Sequence, residues 1–332
     1  MLHSTAEVMK EHLTQETIRD MASRWLPAGA DVPHYRIYTD TSDFFGIEYG
    51  DVVVLDDVPF LIRQNAKEGR FGLDDEVKFW VKRAIDLRSG DRKFIKMVFH
   101  EKFVAHVGSL AFECFRSPRK EARILDLVGK HKNFMHGYSV RDEKGNVIRI
   151  IDLISGIQLA KYVESIEMDH LDYYHKQFPG ILDHYIESIE AIRFLHDHGE
   201  KHGDIRRDHI YIDRHTGDYR WIDFDFNYRH RENIYGYDLF GLGNVLAFLV
   251  GMGDVLILEL IQRQHSSVEK LTHDDMNIIF GNRVVNLQKV FPYIPDSLNR
   301  VLMHFSKGAN WFYESTSQLL DDLGEFRQSI SS

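Results

Sequence analysis

The chain has 332 residues, of which 43% are hydrophobic and 28% are charged, and its formal net charge is −10. This composition is ordinary for a folded globular protein, and the length exceeds one typical domain of about 150 residues, so we expect two packed halves or one large domain, and no extensive disorder. The acidic balance argues against a nucleic-acid partner, because duplex binding depends on a basic face. The single cysteine, Cys114, excludes an internal disulfide framework and a Cys-rich zinc site.

The N-terminus lacks the apolar segment of a signal peptide. The most apolar stretch, residues 239–261, is interrupted by Gly, Asp and Glu, and its clean run over 245–250 is far shorter than the ~20 residues that a membrane-spanning helix needs. We therefore expect a buried core helix in this stretch, no membrane span, and a soluble, cytoplasmic protein.

Periodicity and turn residues predict an α+β chain. The predicted elements are, in chain order, a helix in the first 26 residues, short strands from residue 35 to 96 with a hairpin across 78–96, a helix over 120–129, a second hairpin around 143–146, and a helix over 181–198 within a mostly helical remainder. The pattern divides the chain into an N-terminal helical extension (1–45), a small sheet-rich part (46–154) and a larger helical part (155–332).

Three short motifs follow one another in the helical part. His202-Gly203-Asp204 comes after the helix over 181–198, and Asp223-Phe224, 19 residues beyond Asp204, ends a short apolar strand predicted over 221–225. Asp238 opens the buried helix a further 15 residues on. In this order the motifs resemble the catalytic loop, the metal-binding Asp-Phe-Gly and the central large-lobe helix of the protein-kinase superfamily.

The sheet-rich part agrees with that resemblance. Phe94-Ile95-Lys96 matches the strand that carries the phosphate-binding lysine, Glu121 lies in a matching helix, and residues 150–156 resemble the hinge. Each of these residues by itself has an ordinary structural interpretation, such as a solvated lysine or a turn acid. The occurrence of all these matches in the expected order is what favours the family.

The resemblance, which covers roughly residues 48–327, implies a bilobal protein-kinase-like fold: a small antiparallel-sheet N-lobe with one helix, and a larger, mainly helical C-lobe. It implies ATP and Mg²⁺ as cofactors, with Lys96 on the α- and β-phosphates and Glu121 paired to Lys96. Asp204 would accept or orient the proton of the acceptor hydroxyl, and Asp223 would ligate Mg²⁺.

The resemblance also assigns roles to backbone and buried groups. The C=O of Asp152 and the N–H of Ile154 would hydrogen-bond adenine. His202 and Phe224 would be structural residues, stacked with Leu125. Asp238 would tie the backbone of the catalytic loop to the large-lobe helix.

The chain departs from the family pattern at the phosphate loop and at the second metal ligand. The phosphate loop has only two glycines, Gly69 and Gly72, and is equally consistent with a plain turn. His209 stands where the family has a metal-binding Asn, a feature that resembles the lipopolysaccharide-core sugar kinases and suits Mn²⁺ better than an amide does. Asp208 or Asp225 could supply the second carboxylate instead.

Two further departures concern control of activity. Asp225 replaces the glycine of Asp-Phe-Gly, so a locked metal loop is expected. Gly203 replaces the arginine that usually precedes the catalytic Asp, as in aminoglycoside and choline kinases. The interval from Asp223 to Asp238 is too short for a long activation segment.

The sequence therefore predicts an ATP-dependent phosphotransferase acting on a hydroxyl, most similar to an atypical bacterial-type Ser/Thr protein kinase. One alternative is a small-molecule or sugar kinase, suggested by Gly203 and His209. A second is a pseudokinase that binds nucleotide or a partner without turnover. His209 and Asp225 favour this alternative, and the intact Lys96, Glu121, Asp204 and Asp223 oppose it.

Overall fold

The structure of the protein is a computed structural model that describes residues 14–25, 36–68, 76–230 and 233–331. The chain divides into two compact units. Unit 1 comprises Met1–Phe99 and Gly137–Leu153, and unit 2 comprises His100–His136 and Ile154–Ser332. The elements within them confirm the mixed α+β class.

Strands occur in both units, and the described helices other than the first lie in unit 2. In chain order, the strands of the described residues are β1 (Ile37–Tyr38), β2 (Val52–Leu55), β3 (Val58–Glu68), β4 (Glu76–Asp86), β5 (Arg92–Lys96), β6 (Lys102–Val107), β7 (Leu110–Arg116), β8 (Gly137–Arg141), β9 (Val147–Asp152), β10 (Gly156–Gln158), β11 (Ile210–Asp213), β12 (Tyr219–Trp221) and β13 (Phe226–Arg229). The helices are α1 (Gln15–Ser23), α2 (Pro118–Val128), α3 (Leu159–Glu164), α4 (His170–Lys176), α5 (Phe178–Asp197), α6 (Gly236–Val250), α7 (Ile257–Gln262), α8 (Asp296–Met303) and α9 (Thr316–Ser331).

Unit 1 is built on a seven-stranded sheet with the order β1-β2-β3-β4-β5-β9-β8. The predicted hairpin across 78–96 is confirmed, because β4 and β5 pair antiparallel with Val81 opposite Lys96. The second predicted hairpin is confirmed as the β8–β9 pair. One face of the sheet is apolar and buried, with Phe60, Ile95 and Ile150 at its centre.

The segment after α1 reaches both edges of this sheet. β1 pairs in parallel with β2 at one edge, and Thr41 then donates from its N–H (2.9 Å) and its hydroxyl (2.7 Å) to the carboxylate of Asp142 in the β8–β9 turn at the other edge. Phe44 and Ile47 follow and enter the buried apolar core. Residues 36–47 thus belong to the sheet unit, whereas the sequence assigned residues up to 45 to a helical extension; the described part of the predicted N-terminal helix is α1.

The sequence placed residues 100–136 in the sheet-rich part, but in the structure they belong to unit 2. The reason is strand pairing: β7 lies between β6 and β13 in a three-stranded sheet of unit 2. The predicted helix over 120–129 is present as α2, which begins at Pro118 behind the N-cap Ser117.

The core of unit 2 is formed around α5 and α6, and β10, β11 and β12 form a second small sheet there. Tyr185 of α5 donates its hydroxyl to the carbonyl of Leu242 in α6 (2.7 Å). Gly243 admits the Phe305 ring, because a Cβ at this position would lie 2.2 Å from that ring. The apolar stretch 239–261 is divided between α6 and α7, and no helix of the described residues is long and apolar enough to cross a membrane.

We expect the Asp142 carboxylate to stabilise unit 1 only while it is charged. Burial works against the charge, but hydrogen bonds from Asn146 and Thr41 outweigh it, so the pKa of Asp142 is lowered. Asp142→Ala should lower the free energy of unfolding by about 2 kcal/mol. Wild type should show this advantage above about pH 4, the range of an unfolded Asp, and lose it as the pH falls through the lowered folded value.

Chemical denaturation of both proteins between pH 3 and pH 7 measures the effect. Asp91→Ala, whose carboxylate is 63% exposed, is the control and should show no such pH-dependent difference. A wild-type advantage that persists undiminished at pH 3 would contradict the assignment.

Candidate active site

The loop between α5 and β11 carries Asp204 and is held in place by a buried carboxylate. Asp238, fully buried at the start of α6, accepts hydrogen bonds from the backbone N–H groups of His202 and Gly203 (both 2.8 Å) and lies 3.1 Å from His196 Nε2. The hydrogen bonds and the nearby His196, His202 and Lys120 keep the pKa of Asp238 lowered, although burial alone would raise it. The predicted structural role of Asp238 is confirmed.

The side chains of Asp204, His209 and Asp223 lie close together at this loop. His209 Nδ1 lies 2.9 Å from the backbone oxygen of Asp204 and 3.6 Å from the Asp204 carboxylate, and His209 Nε2 lies 3.9 Å from Asp223 Oδ2. Since a carbonyl oxygen can only accept, Nδ1 carries the proton in neutral His209, and Nε2 presents a lone pair on the side of Asp223. The buried imidazole therefore lies between two partly exposed carboxylates.

Asp223 reaches this place through an uncommon backbone conformation. The strand predicted over 221–225 ends at Trp221, and Asp223 has φ of 63°, in the left-handed region where Asp is among the more tolerant residues. The Ile222 N–H donates to the His209 carbonyl (2.9 Å), which ties the segment to the catalytic loop. Asp223 thus lies in the irregular segment between β12 and β13 rather than in a strand.

Asp225 is committed to an ion pair inside unit 2. Arg116 Nη1 lies 2.8 Å from both Asp225 carboxylate oxygens, and both side chains are almost completely buried. Burial works against the Arg116 charge, but Asp225 and Asp223 outweigh it and raise the Arg116 pKa. This pair, with the pairing of β13 to β7 that follows, is consistent with the predicted locked loop, and the role of Asp225 as a second carboxylate stays a prediction.

Lys120 provides the central contact of the site, and sequence reasoning missed it. Its buried Nζ donates to the carbonyls of His202 (2.7 Å), Phe224 (2.9 Å) and Phe226. Burial lowers the pKa of Lys120 to about 8, so the ammonium is mostly charged at neutral pH and its three N–H groups match three acceptors.

The signal for Lys120 was present in the sequence. Lys120 and Glu121 lie at helical spacing from Ile124, Leu125 and Val128 on the buried face of α2. Charged residues on an apolar helix face indicate a specific buried partner. Glu121 is also completely buried.

The other predicted structural residues also lie in the core of unit 2. His202 and Phe224 meet edge-to-face with ring centroids 6.0 Å apart, and Leu125 is buried as well. Burial lowers the pKa of His202 to about 3, so its ring is neutral and accepts from the Asp204 N–H through Nδ1 (3.3 Å). This ring supports the backbone of the catalytic loop.

Asp208 forms an ion pair with Arg206, and its role as the second carboxylate stays a prediction. Arg206 Nη1 also lies 3.9 Å from Asp204 Oδ2. Burial works against the charge of Asp208, but His209 and Arg206 outweigh it and lower the Asp208 pKa. Arg206 thus places a positive charge beside the predicted catalytic base.

The remaining predicted residues lie in unit 1 or outside the described residues. Lys96 ends β5, opposite Val81 of β4 and Arg149 of β9, and is buried. Asp152 ends β9 opposite Lys93, whose Nζ lies 2.8 Å from its carboxylate. Gly69 and Gly72 lie outside the described residues, in the segment that joins β3 to β4.

Glu121, Ile154, Asp204, His209 and Asp223 all belong to unit 2. The predicted pairing of Lys96 with Glu121, and the adenine contacts of Asp152 and Ile154, stay predictions.

Among the described residues, no three His, Cys, Asp or Glu side chains are grouped to hold a metal ion. The lone pair of His209 Nε2 and the Asp223 carboxylate nevertheless fit two positions in the shell of one divalent cation. Mg²⁺ commonly takes only one or two protein ligands and completes its shell with phosphate oxygens and water. The pair therefore fits a metal that arrives with a phosphorylated ligand.

Comparison with solved structures finds chains of similar fold. The kinase domain of PknI from Mycobacterium tuberculosis is similar to this chain, with 11% sequence identity, a TM-score of 0.46, and coverage of 84% of this chain and 99% of that chain. No protein-family model and no curated protein sequence matches the chain. At this level of similarity the function has to be inferred from the residues of the chain itself.

The backbone around Lys120 requires glycine at position 203. Gly203 has φ of 88°, and a Cβ there would lie 1.9 Å from the carbonyl oxygen of Phe226. Gly203→Ala should lower the free energy of unfolding by about 3 kcal/mol or more, combining left-handed strain with a clash against fixed backbone.

Gly217→Ala is the matched control. Gly217 has φ of 79°, and a Cβ at this position would meet no atom within 4 Å, so this variant should show only the strain of about 1–2 kcal/mol. Urea denaturation of both variants measures the difference. Equal destabilisation would show that the Phe226 carbonyl yields easily and that the loop is not locked.

Proposed function

We propose that the protein is an ATP-dependent phosphotransferase with a protein-kinase-like fold that transfers the γ-phosphate to a hydroxyl group. The observation that carries the proposal is the placement of Asp204 and Asp223 on either side of His209, at 3.6 and 3.9 Å from its ring nitrogens. Phosphoryl transfer needs one group near the attacking hydroxyl and another on the metal that neutralises phosphate charge. Asp204 is proposed for the first of these roles and Asp223 for the second.

Asp204 is the proposed base. Its side chain is 17% exposed, so an acceptor hydroxyl can reach it, while its own N–H is fixed by His202 Nδ1. Arg206, beside it, would favour the ionised carboxylate and offer positive charge to the transferring phosphate. Asp204 would orient the hydroxyl and take its proton as the new P–O bond forms.

Asp223 and His209 would hold the metal through a carboxylate oxygen and Nε2. When bound, Mg²⁺ or Mn²⁺ would supply Lewis-acid charge that neutralises the negative charge of the phosphates. The hydrogen bond from His209 Nδ1 to the Asp204 carbonyl fixes the ring orientation for this role. The Arg116–Asp225 pair holds the backbone two residues beyond Asp223.

The nucleotide contacts in unit 1 form a consistent row along two paired strands. Lys96 lies opposite Arg149 and Lys93 opposite Asp152, so the proposed phosphate contact and the proposed adenine contact are three residues apart, or about 10 Å along the strands. Lys96 is also at the end of β5, opposite Val81 of β4. ATP can extend along this row from adenine to phosphates.

For the acceptor we propose a Ser or Thr hydroxyl of a protein, with a small-molecule or sugar hydroxyl as the competing acceptor. A scaffold that binds nucleotide without turnover is the second candidate function. Asp208 and Asp225 form ion pairs with arginines, so Asp223 and His209 are the proposed protein ligands of the metal. This small number of proposed ligands favours the scaffold.

Replacement of the two carboxylates should separate chemistry from binding. Asp204→Asn should reduce turnover at least about 100-fold with little change in nucleotide affinity, because a base acts on the chemical step. Asp223→Asn, which tolerates the left-handed backbone, should weaken ATP–metal binding at least about tenfold. Transfer of labelled γ-phosphate, followed by mass spectrometry of the protein and of lysate acceptors, and thermal-shift titration with ATP and metal measure the two effects.

Wild type that is stabilised by ATP–metal but transfers no phosphate with Mg²⁺ or Mn²⁺ would support the scaffold instead. Unchanged turnover in Asp204→Asn would remove Asp204 from the mechanism.

His209 should set the metal preference. Imidazole suits Mn²⁺ better than carboxamide oxygen does, so His209→Asn should shift the ratio of Mn²⁺- to Mg²⁺-supported activity toward Mg²⁺. The exposed His215, replaced by Asn, is the control. An unaltered ratio in His209→Asn would leave His209 the role of holding the catalytic loop alone.

A further inference from the structure

Two arginines of unit 2 share one carboxylate close to the catalytic loop. Arg207, three residues after Asp204, places Nη1 2.7 Å from Asp254 Oδ1, and Arg283 places Nη2 3.1 Å from Asp254 Oδ2. The three side chains are 27%, 19% and 20% exposed, in the order Arg207, Arg283, Asp254, so the group is reached by solvent without lying flat on the surface. Two positive charges and one negative charge leave a local charge of +1.

Both guanidinium groups are fixed by aromatic rings. Arg207 lies over Phe248 of α6, 4.2 Å from the ring centroid, and Arg283 lies over Phe280 at 3.9 Å. Rings on one side and a carboxylate on the other restrict both arginines before any ligand arrives. Fixed, partly desolvated guanidinium groups with excess charge are suited to bind an oxyanion.

The charge on Arg283 is only partly compensated. Burial lowers the pKa of Arg283, Arg207 lowers it further, and the attraction of Asp254 does not restore it. An added anion would relieve the repulsion between the two arginines. A dianion would do so more effectively than a carboxylate, because it offers charge and acceptor oxygens to both forks.

We propose that Arg207 and Arg283 form a binding site for a phosphate monoester group of the acceptor molecule. Arg207 belongs to the same loop as Asp204. An acceptor whose phosphate is bound by Arg207 and Arg283 would therefore contact the loop that carries the proposed base. The assignment to the acceptor rests on the proposed function; the phosphate site itself does not. The substrate class it indicates is a molecule that already carries one phosphate and offers a hydroxyl.

Calorimetric titration with inorganic phosphate and with O-phosphoserine tests the site. Arg283→Gln should weaken the binding of both probes at least about fivefold, and Asp254→Asn should tighten it, because it raises the local charge from +1 to +2. Arg263→Gln, which removes an arginine that is 77% exposed, should leave the affinities unchanged. In wild type, both affinities should fall as KCl is raised.

Lys96→Met distinguishes this site from the proposed nucleotide site in unit 1. The Lys96→Met variant should still bind phosphate, and adding Arg283→Gln to it should weaken phosphate binding as it does in wild type. Unchanged phosphate affinity in Arg283→Gln, or weaker binding in Asp254→Asn, would overturn the proposal. Binding of glutamate as tight as that of O-phosphoserine would overturn the phosphate assignment.

If Arg283→Gln does not fold, the phosphate affinity of Arg283→Lys and the dependence of the wild-type phosphate affinity on KCl test the site instead. If phosphate binding responds to the substitutions as expected but the protein transfers no phosphate, the phosphate site is supported and the proposed function is contradicted.

Discussion

The candidate site of unit 2 depends on one buried ammonium group. Lys120 has three N–H donors, and each meets a backbone carbonyl, one in the catalytic loop and two on either side of Asp225. A buried charge without acceptors would be strongly unfavourable, so these carbonyls have to converge on Nζ. Their convergence fixes the backbones that carry Asp204 and Asp223. It also brings the Phe226 carbonyl so close to residue 203 that only glycine fits there.

The unusual residues of the site therefore form one consistent set. Gly203 accommodates the Phe226 carbonyl, Lys120 binds that carbonyl, and Arg116 neutralises Asp225 one residue before Phe226. The segment then continues as β13, paired with β7, instead of an extended loop. A side chain at position 203 could not coexist with this arrangement. The segment that carries Asp223 is thus held by contacts within its own unit.

Several carboxylates around the site form ion pairs with arginines of the same unit. Asp208 is paired with Arg206, Asp225 with Arg116, and Asp254 with two arginines. Asp223 is the acid proposed for the metal, and Asp204 is the acid proposed for the acceptor hydroxyl. Arg207 and Arg283 share the single carboxylate of Asp254, and the excess positive charge of this group is where we place the acceptor phosphate.

The sequence by itself determined the α+β class, the two hairpins of the sheet unit, the helices around α2, α5 and α6, and the structural role of Asp238. These follow from local signals, because periodicity, turn residues and short motifs act over a few neighbouring residues. Only the tertiary structure decided that Lys120 is a buried donor, that Asp225 pairs with Arg116, and that residues 36–47 join both edges of the sheet. The partners in these contacts are 101 to 109 residues apart for Thr41–Asp142, Lys120–Phe224, Lys120–Phe226 and Arg116–Asp225. No local pattern specifies which distant carbonyl or carboxylate a charged residue will meet, because that choice is made by packing of the whole unit.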